Sequence, residues 1–317
     1  MPTVLITGGT GMIGTALSRL LLQQGYDVII LSRNPIETAS AYKASSMQNS
    51  FRPSGNIFYA RWDTEKMFID PQALAQADYI VHLAGEGVAK KRWTKKRKEE
   101  IKNSRTTSSE LLVQSLSNQP NKVKAVISAS AIGWYGSDTG TPFKETDPVS
   151  MDFLGETCKA WEESIEQVSS LGKRLVKFRL GLALSNEGGA LVEFKRPVRF
   201  GIAAILGSGN QMYSWIHIDD LCRAFLHAIE MPALDGVYNL VSPQPVSNKE
   251  MVLGIAHAMN GKMFLPFRVP SFLLKWILGE MSIEVLKSAT VDASKIQASG
   301  FNFIYPNIGS AVRHLIG

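Results

Sequence analysis

A glycine-rich octapeptide near the start of the chain constrains its fold more than any other feature. Residues 7–14 read Thr-Gly-Gly-Thr-Gly-Met-Ile-Gly, directly after an apolar run and directly before a helical pattern. A G-x-x-G-x-x-G spacing at a strand-to-helix junction gives each glycine a use. Gly8 permits the tight turn, Gly11 lets the backbone approach a pyrophosphate, and Gly14 lets the helix pack closely on the strand. Thr10, Met12 and Ile13 complete a loop whose helix N-terminus faces the anion. An ordinary glycine turn is the alternative; the βαβ setting favours a dinucleotide.

The rest of the chain keeps the rhythm that such a loop implies. Aliphatic runs at 4–7, 28–31, 57–61, 79–83, 123–128, 175–179 and 237–241 read as strands. Amphipathic stretches at 12–24, 97–117 and 156–169 read as helices between them. Continuously apolar strands alternating with helices predict an α/β fold: a Rossmann-type doubly wound parallel sheet, both faces covered. Beyond residue 179 the pattern loosens, with helices expected near 220–230, 249–259 and 271–281; the last is apolar enough to cover the core or to pair with another subunit, and the core is the favoured placing. The predicted organisation is a nucleotide-binding core over 1–183 and about 214–246. A smaller substrate lobe takes about 184–213 and 247–317. The Ser-, Asn- and Gln-rich stretch 40–54 reads as a surface loop.

The end of the second strand discriminates between cofactors. An NAD site usually places an acid there for the ribose 2′-hydroxyl. This chain has Ser32 and Arg33 instead. Arg33 pairs naturally with a 2′-phosphate and Ser32 can donate to it, so NADP is expected over NAD, although an arginine at that position can also be plain surface.

Charge narrows the partners. The chain carries +6, yet residues 90–105 alone hold nine basic and two acidic side chains, and the remainder 25 basic and 26 acidic. One basic segment without an aromatic platform does not make a nucleic-acid binder. Two cysteines, Cys158 and Cys222, are too few for a disulfide framework or a zinc cluster. With no basic leader, no signal core and no apolar run near 20 residues, a cytoplasmic protein without membrane contact is expected.

At this point the sequence resembles the extended short-chain dehydrogenase/reductase superfamily, and within it the YfcH-like epimerase-family proteins. The resemblance rests on the glycine loop, His82-Leu83-Ala84-Gly85-Glu86, Arg92-Trp93 through Ser104-Arg105, the SASAIGWYG stretch at 128–136, and GSGNQMYSWIHIDD at 207–220. Gly279-Glu280-Met281 and Gly300-Phe301-Asn302-Phe303 complete it. It implies that Leu83, Ala84 and Gly85 line the cofactor's ribose and phosphates and that Trp62 and Asp63 lie near the adenine. It further implies that Ser128, Ser130 and Leu180 approach the nicotinamide.

The resemblance also exposes a gap. The superfamily uses a tyrosine with a lysine four residues later; no tyrosine here has one, and Leu154 and Cys158 occupy the aligned places. Ala131 stands where a catalytic Ser or Thr is usual, with Ser130 adjacent. Tyr135 can act as a substitute acid or be structural, and Glu86 can act as a base, hold substrate or mark a helix start. Cys158 reads as a small buried hydrophobe. His217 reads as structural, with an aspartate capping the next helix. Glu86, Trp93 and Arg105 are the candidate substrate contacts, and Tyr213 replaces an arginine that nucleotide-sugar enzymes use for a diphosphate. Two functions remain in view: an NADP-dependent oxidoreductase or epimerase-like enzyme acting on a small molecule, an anionic one included, and a silent NADP-binding sensor or docking protein like some division-associated relatives. A positive rim at Lys95, Lys96 and Arg97 would attract either ligand.

Overall fold

The structure, a computed structural model, describes residues 1–46 and 54–317. Its strands are β1 (Thr3–Thr7), β2 (Asp27–Ser32), β3 (Ile57–Asp63), β4 (Phe68–Ile69), β5 (Tyr79–His82), β6 (Ala125–Ala131), β7 (Arg174–Leu180), β8 (Leu182–Ser185), β9 (Gly188–Gly189), β10 (Ile202–Leu206), β11 (Met212–Tyr213), β12 (Trp215–His217), β13 (Gly236–Leu240), β14 (Val246–Ser247) and β15 (Leu265–Val269). Its helices are α1 (Met12–Gln23), α2 (Pro35–Ser46), α3 (Pro71–Gln76), α4 (Lys95–Asn118), α5 (Phe153–Ser170), α6 (Ala190–Val198), α7 (Ile218–Glu230), α8 (Asn248–Asn260), α9 (Ser271–Leu278), α10 (Ser282–Leu286), α11 (Ser294–Ala298) and α12 (Ile308–Ile316).

The main sheet runs β13-β7-β6-β5-β1-β2-β3-β4, parallel throughout except for the short β4. The chain winds outward from β1 through β2 and β3, then crosses back to β5 and continues the other way. That reversal opens a crevice above the carboxyl ends of β1 and β5, where an open α/β sheet takes its ligand. The central strands are apolar on both faces because helices cover both. Leu17, Leu21 and Phe225 of α1 and α7 pack on one side, and Leu74, Leu111, Leu112 and Ile165 of α3, α4 and α5 on the other. A third cluster, including Leu191, Ile205, Trp215, Met251, Ile255 and Val312, gathers the later elements.

Four sequence expectations are corrected. β6 starts at Ala125 and extends to Ala131, so Ser128 is mid-strand, fully buried and paired with His82. Residues 40–46 of the expected loop belong to α2, and 47–53 lie outside the described residues. The helix expected over 271–281 stops at Leu278, because Gly279 turns to φ +62°. It does not cover the core: Leu274 is its buried residue, while Phe272 and Trp276 are 73% and 76% exposed.

Candidate functional site

The glycine loop packs as tightly as its spacing implies. A Cβ on Gly8, which sits at φ +69°, would lie 2.9 Å from the Leu83 carbonyl group, and one on Gly14 would lie 2.4 Å from the Gly8 oxygen. The Gly11 amide donates to the Gly8 carbonyl at 3.0 Å, and the Thr15 amide to Gly11 at 2.8 Å. Gly11 caps α1 without a side chain, and the first turn holds no acid. The amides of Met12, Ile13 and Gly14 therefore have no intrahelical acceptor and keep the positive helix end available to an anion.

A pair that the sequence reading missed holds the opposite wall. Thr7 Oγ1 accepts the amides of Leu83 and Ala84, both at 3.2 Å, so its own proton goes to His82 Nδ1 at 2.7 Å. His82 Nε2 then donates to Ser109 Oγ at 3.1 Å. Burial, aided by the nearby Arg105 charge, pushes the ring's pKa down to about 3, which keeps it neutral. The signal was present as His82-Leu83-Ala84-Gly85; its partner Thr7 was hidden inside the glycine motif.

Between these walls lies a cleft of about 840 Å³. Gly8, Thr10 and Gly11 line it, with Ser32 and Arg33, Trp62, Leu83, Ala84, Gly85 and Glu86. Ser104 and Ser108 of α4 and Lys90 also line it, and the sequence reading assigned none of them to the site. Small residues four apart on one helix face were the available cue. Ser104 Oγ accepts the Glu86 amide at 2.9 Å. Ser32 Oγ is bonded to Thr38 Oγ1 at 2.7 Å and accepts the Asn34 amide at 3.1 Å, while exposed Arg33 has no ion pair among the described residues.

Other expected residues stand apart from this lining. Met12 turns its side chain toward Gly188 and Gly189, and Ile13 packs on the core. Asp63 uses its carboxylate to close a turn through the amides of Glu65 and Lys66, both at 3.1 Å. Ser128, Ser130 and Leu180 lie along β6 and β7 and are not among the lining residues.

The expected acids and bases are engaged elsewhere. Tyr135 is fully buried; its hydroxyl donates to Asn239 Oδ1 at 2.6 Å and accepts from Arg179 Nη1 at 3.0 Å. Burial raises its pKa to about 12. Ser130 Oγ donates to Glu162 at 2.7 Å, and Arg179 grips both oxygens of that carboxylate. Glu86 does face the cleft, but its hydrogen bond from Arg97 at 3.1 Å holds its carboxyl below the usual carboxylate range. A base is weakened by that clamp. Arg97 is itself buried and paired with Glu86 and Glu100, so it is not part of an exposed rim; Lys95 and Lys96 are exposed.

Arg105 is different. Its guanidinium packs against Gly85, whose added Cβ would meet Arg105 Cζ at 3.1 Å, and lies 5.0 Å from the Trp161 ring centroid. Its one hydrogen bond goes to the Ile101 carbonyl at 2.8 Å, and no carboxylate pairs with it among the described residues. Cys158, on the same face of α5 as Trp161, is neutral because burial raises its pKa to about 12. Trp93 anchors its indole NH on the Val88 carbonyl at 3.0 Å and packs edge-on against Phe153.

The carboxyl-terminal stretch is structural, though not in the way expected. His217 itself caps α7, accepting the Asp219 amide on Nδ1 at 3.0 Å, while Asp220 receives the amides of Ile304 and Tyr305. Tyr213 donates to the Val285 carbonyl at 2.8 Å. His217, Asp219 and His314 bring three donor atoms within 4.8 Å of one another. With Nδ1 of His217 accepting an amide, Nε2 must carry the proton toward His314 Nδ1 at 3.2 Å. That ring presents no free lone pair to a cation, unlike a metal-binding histidine that donates its second NH outward.

Comparison with known proteins decides the family. The NAD dependent epimerase/dehydratase family matches residues 4–153 and 200–240, and a domain of unknown function (DUF1731) matches 269–315. An epimerase family protein of Staphylococcus saprophyticus is 36% identical over the full length of both chains. This chain belongs to the NAD dependent epimerase/dehydratase family. Within it, epimerase family protein YfhF of Bacillus subtilis is 34% identical over 99% of this chain and 97% of its own. The crystal structure of human epimerase family protein SDR39U1 with NADPH superposes with a TM-score of 0.83 at 27% identity, covering 99% of each chain. A UDP-glucuronic acid 4-epimerase of Bacillus cereus, in complex with UDP-glucuronic acid and NAD, shares the fold at 18% identity and a TM-score of 0.77, covering 99% and 98%. The likeness to these solved structures is one of architecture.

Proposed function

We propose that this chain is an NADP-dependent oxidoreductase of the epimerase/dehydratase family acting on a small anionic molecule. The observation that carries the cofactor reading is the cradle: Gly8 and Gly14 leave no room for a Cβ, and α1, whose first amides lack intrahelical acceptors, starts at the cleft wall formed by Gly8, Thr10, Gly11 and Thr15. Gly8, Thr10, Gly11 and the α1 amides would hold the pyrophosphate, Leu83–Gly85 the adjoining ribose and phosphates, and Trp62 the adenine side. Exposed Arg33 suits a 2′-phosphate, and the NADPH in the human relative supports that choice. Glu37 also lines the cleft, but its carboxylate accepts from Asn34 at 3.2 Å. NADPH, when bound, supplies a hydride.

Arg105 supports the anionic substrate. A half-buried guanidinium with most of its donors unused, stacked on Trp161 beside the cofactor-facing Gly85, suits a carboxylate or a carbonyl oxygen gaining charge. Burial lowers its pKa from the usual arginine value, which leaves the cation costly to bury without an anionic partner. Glu86 lines the cleft beside Arg105. One specific observation favours the silent sensor instead: Ser130 and Tyr135 are both committed to the buried network around Arg179.

The discriminating experiment pairs calorimetric NADPH titration with NADPH oxidation across a panel of small carbonyl acids. The enzyme reading expects binding, turnover of at least one acid, and loss of turnover but not of NADPH binding in Arg105→Met. Tight NADPH binding with no turnover across the panel would favour the sensor.

A further inference from the structure

We propose that the β10–β15 ribbon and α9 form a peripheral docking surface for an anionic lipid bilayer. The two strands pair in parallel, with Ile202 opposite Leu265, Ala204 opposite Phe267 and Leu206 opposite Val269. Paired residues share a face, and alternation along β10 buries Ala203 and Ile205, so those six residues form the outward face. It is entirely apolar. Leu265 is 66% exposed and Phe267 51%. Pro270 then starts α9, where Phe272 and Trp276 project into solvent, and Phe200 and Met263 extend the exposed apolar surface at the other end of the ribbon.

Charge identifies the occupant. No acidic residue occurs in 194–217 or in 251–279, whereas Arg199, Lys262, Arg268 and Lys275 lie there. All four are exposed and form no ion pair among the described residues. The basic segment adjoins the same surface: Arg92 packs over Gly279 at the end of α9, and Lys98 pairs with Glu280. Lys95 and Lys96 extend the positive region. Two copies of such a surface would repel each other across a symmetry axis, whereas aromatic and aliphatic side chains ringed by cations match the interface of an anionic membrane. No helix among the described residues is long and apolar enough to cross a membrane, and a peripheral surface needs none.

The test is flotation of the full chain with vesicles of phosphatidylcholine alone and of phosphatidylcholine with phosphatidylglycerol. The expected result is at least about tenfold stronger partition onto the anionic vesicles, weakened by salt, with a blue-shifted tryptophan emission. Phe272→Ser with Trp276→Ser is expected to lower that partition about tenfold while leaving NADPH affinity unchanged, and Arg268→Glu with Lys275→Glu to remove the anionic preference. Both pairs are exposed, so thermal unfolding should not shift. Absence of flotation with either vesicle, or a concentration-dependent dimer in sedimentation that these variants abolish, would overturn the proposal. None of these readings needs a bound cofactor, so they stand or fall apart from the assigned reaction.

Discussion

Ser130 Oγ lies 2.7 Å from Oε1 of Glu162, and that contact ties the end of β6 to α5 through a buried carboxylate. Arg179 completes the tie with contacts of 2.8 and 3.1 Å, and its guanidinium lies 3.7 Å from the Trp134 ring centroid. Ser130, adjacent to Ala131 at the strand end, thus serves to hold β6 against α5. Glu162→Ala leaves the Arg179 charge buried and unpaired, a loss of roughly 3–5 kcal/mol. Urea unfolding should show it as a lowered midpoint.

Tyr135→Phe separates the structural reading of this residue from the catalytic one. Removing the hydroxyl leaves Asn239 Oδ1 without its 2.6 Å donor, at a cost of about 1–3 kcal/mol. Stability should fall while any turnover at permissive temperature persists. Loss of turnover with unchanged stability would restore Tyr135 as the acid.

Two glycine-to-alanine changes should differ sharply. Gly14→Ala puts a Cβ 2.4 Å from the Gly8 oxygen and should abolish NADPH binding in a fluorescence titration. Gly25→Ala meets nothing within 4 Å, though its φ of +80° costs about 1 kcal/mol, and should bind NADPH normally.

Acid should destabilise the chain through a neutral buried histidine. The His82 pKa falls from about 6.5 to about 3 on folding, so protonation favours the unfolded chain. Its stabilising effect is complete above about pH 6.5 and is lost as pH falls toward 3, by about 3 kcal/mol at pH 4. Melting temperatures from pH 7 to pH 4 should fall less steeply in His82→Gln than in the parent.

What was legible in the sequence was what local pattern determines. The glycine loop, the apolar parallel strands and the absence of an acid after β2 are written in consecutive residues, and the sheet and cleft follow from them. Ser128 was misplaced because strand ends depend on pairing, and β6 runs on beside β7 as far as Ala131. The engagement of Ser130, Tyr135 and Glu86 was invisible because their partners Glu162, Asn239 and Arg97 lie 32, 104 and 11 residues away. The exposure of α9 was missed for a related reason: its composition is that of a core helix, and only tertiary placement shows it facing out.

The proposed preference for the phosphorylated dinucleotide rests on Arg33, which stands exposed at the end of β2. Isothermal titration of NADPH and NADH against the parent and Arg33→Asp tests it directly. A roughly tenfold or greater loss of NADPH affinity, or about 1.4 kcal/mol, is expected, with NADH affinity held or improved. Equal losses for both nucleotides, or no change in either, would contradict it.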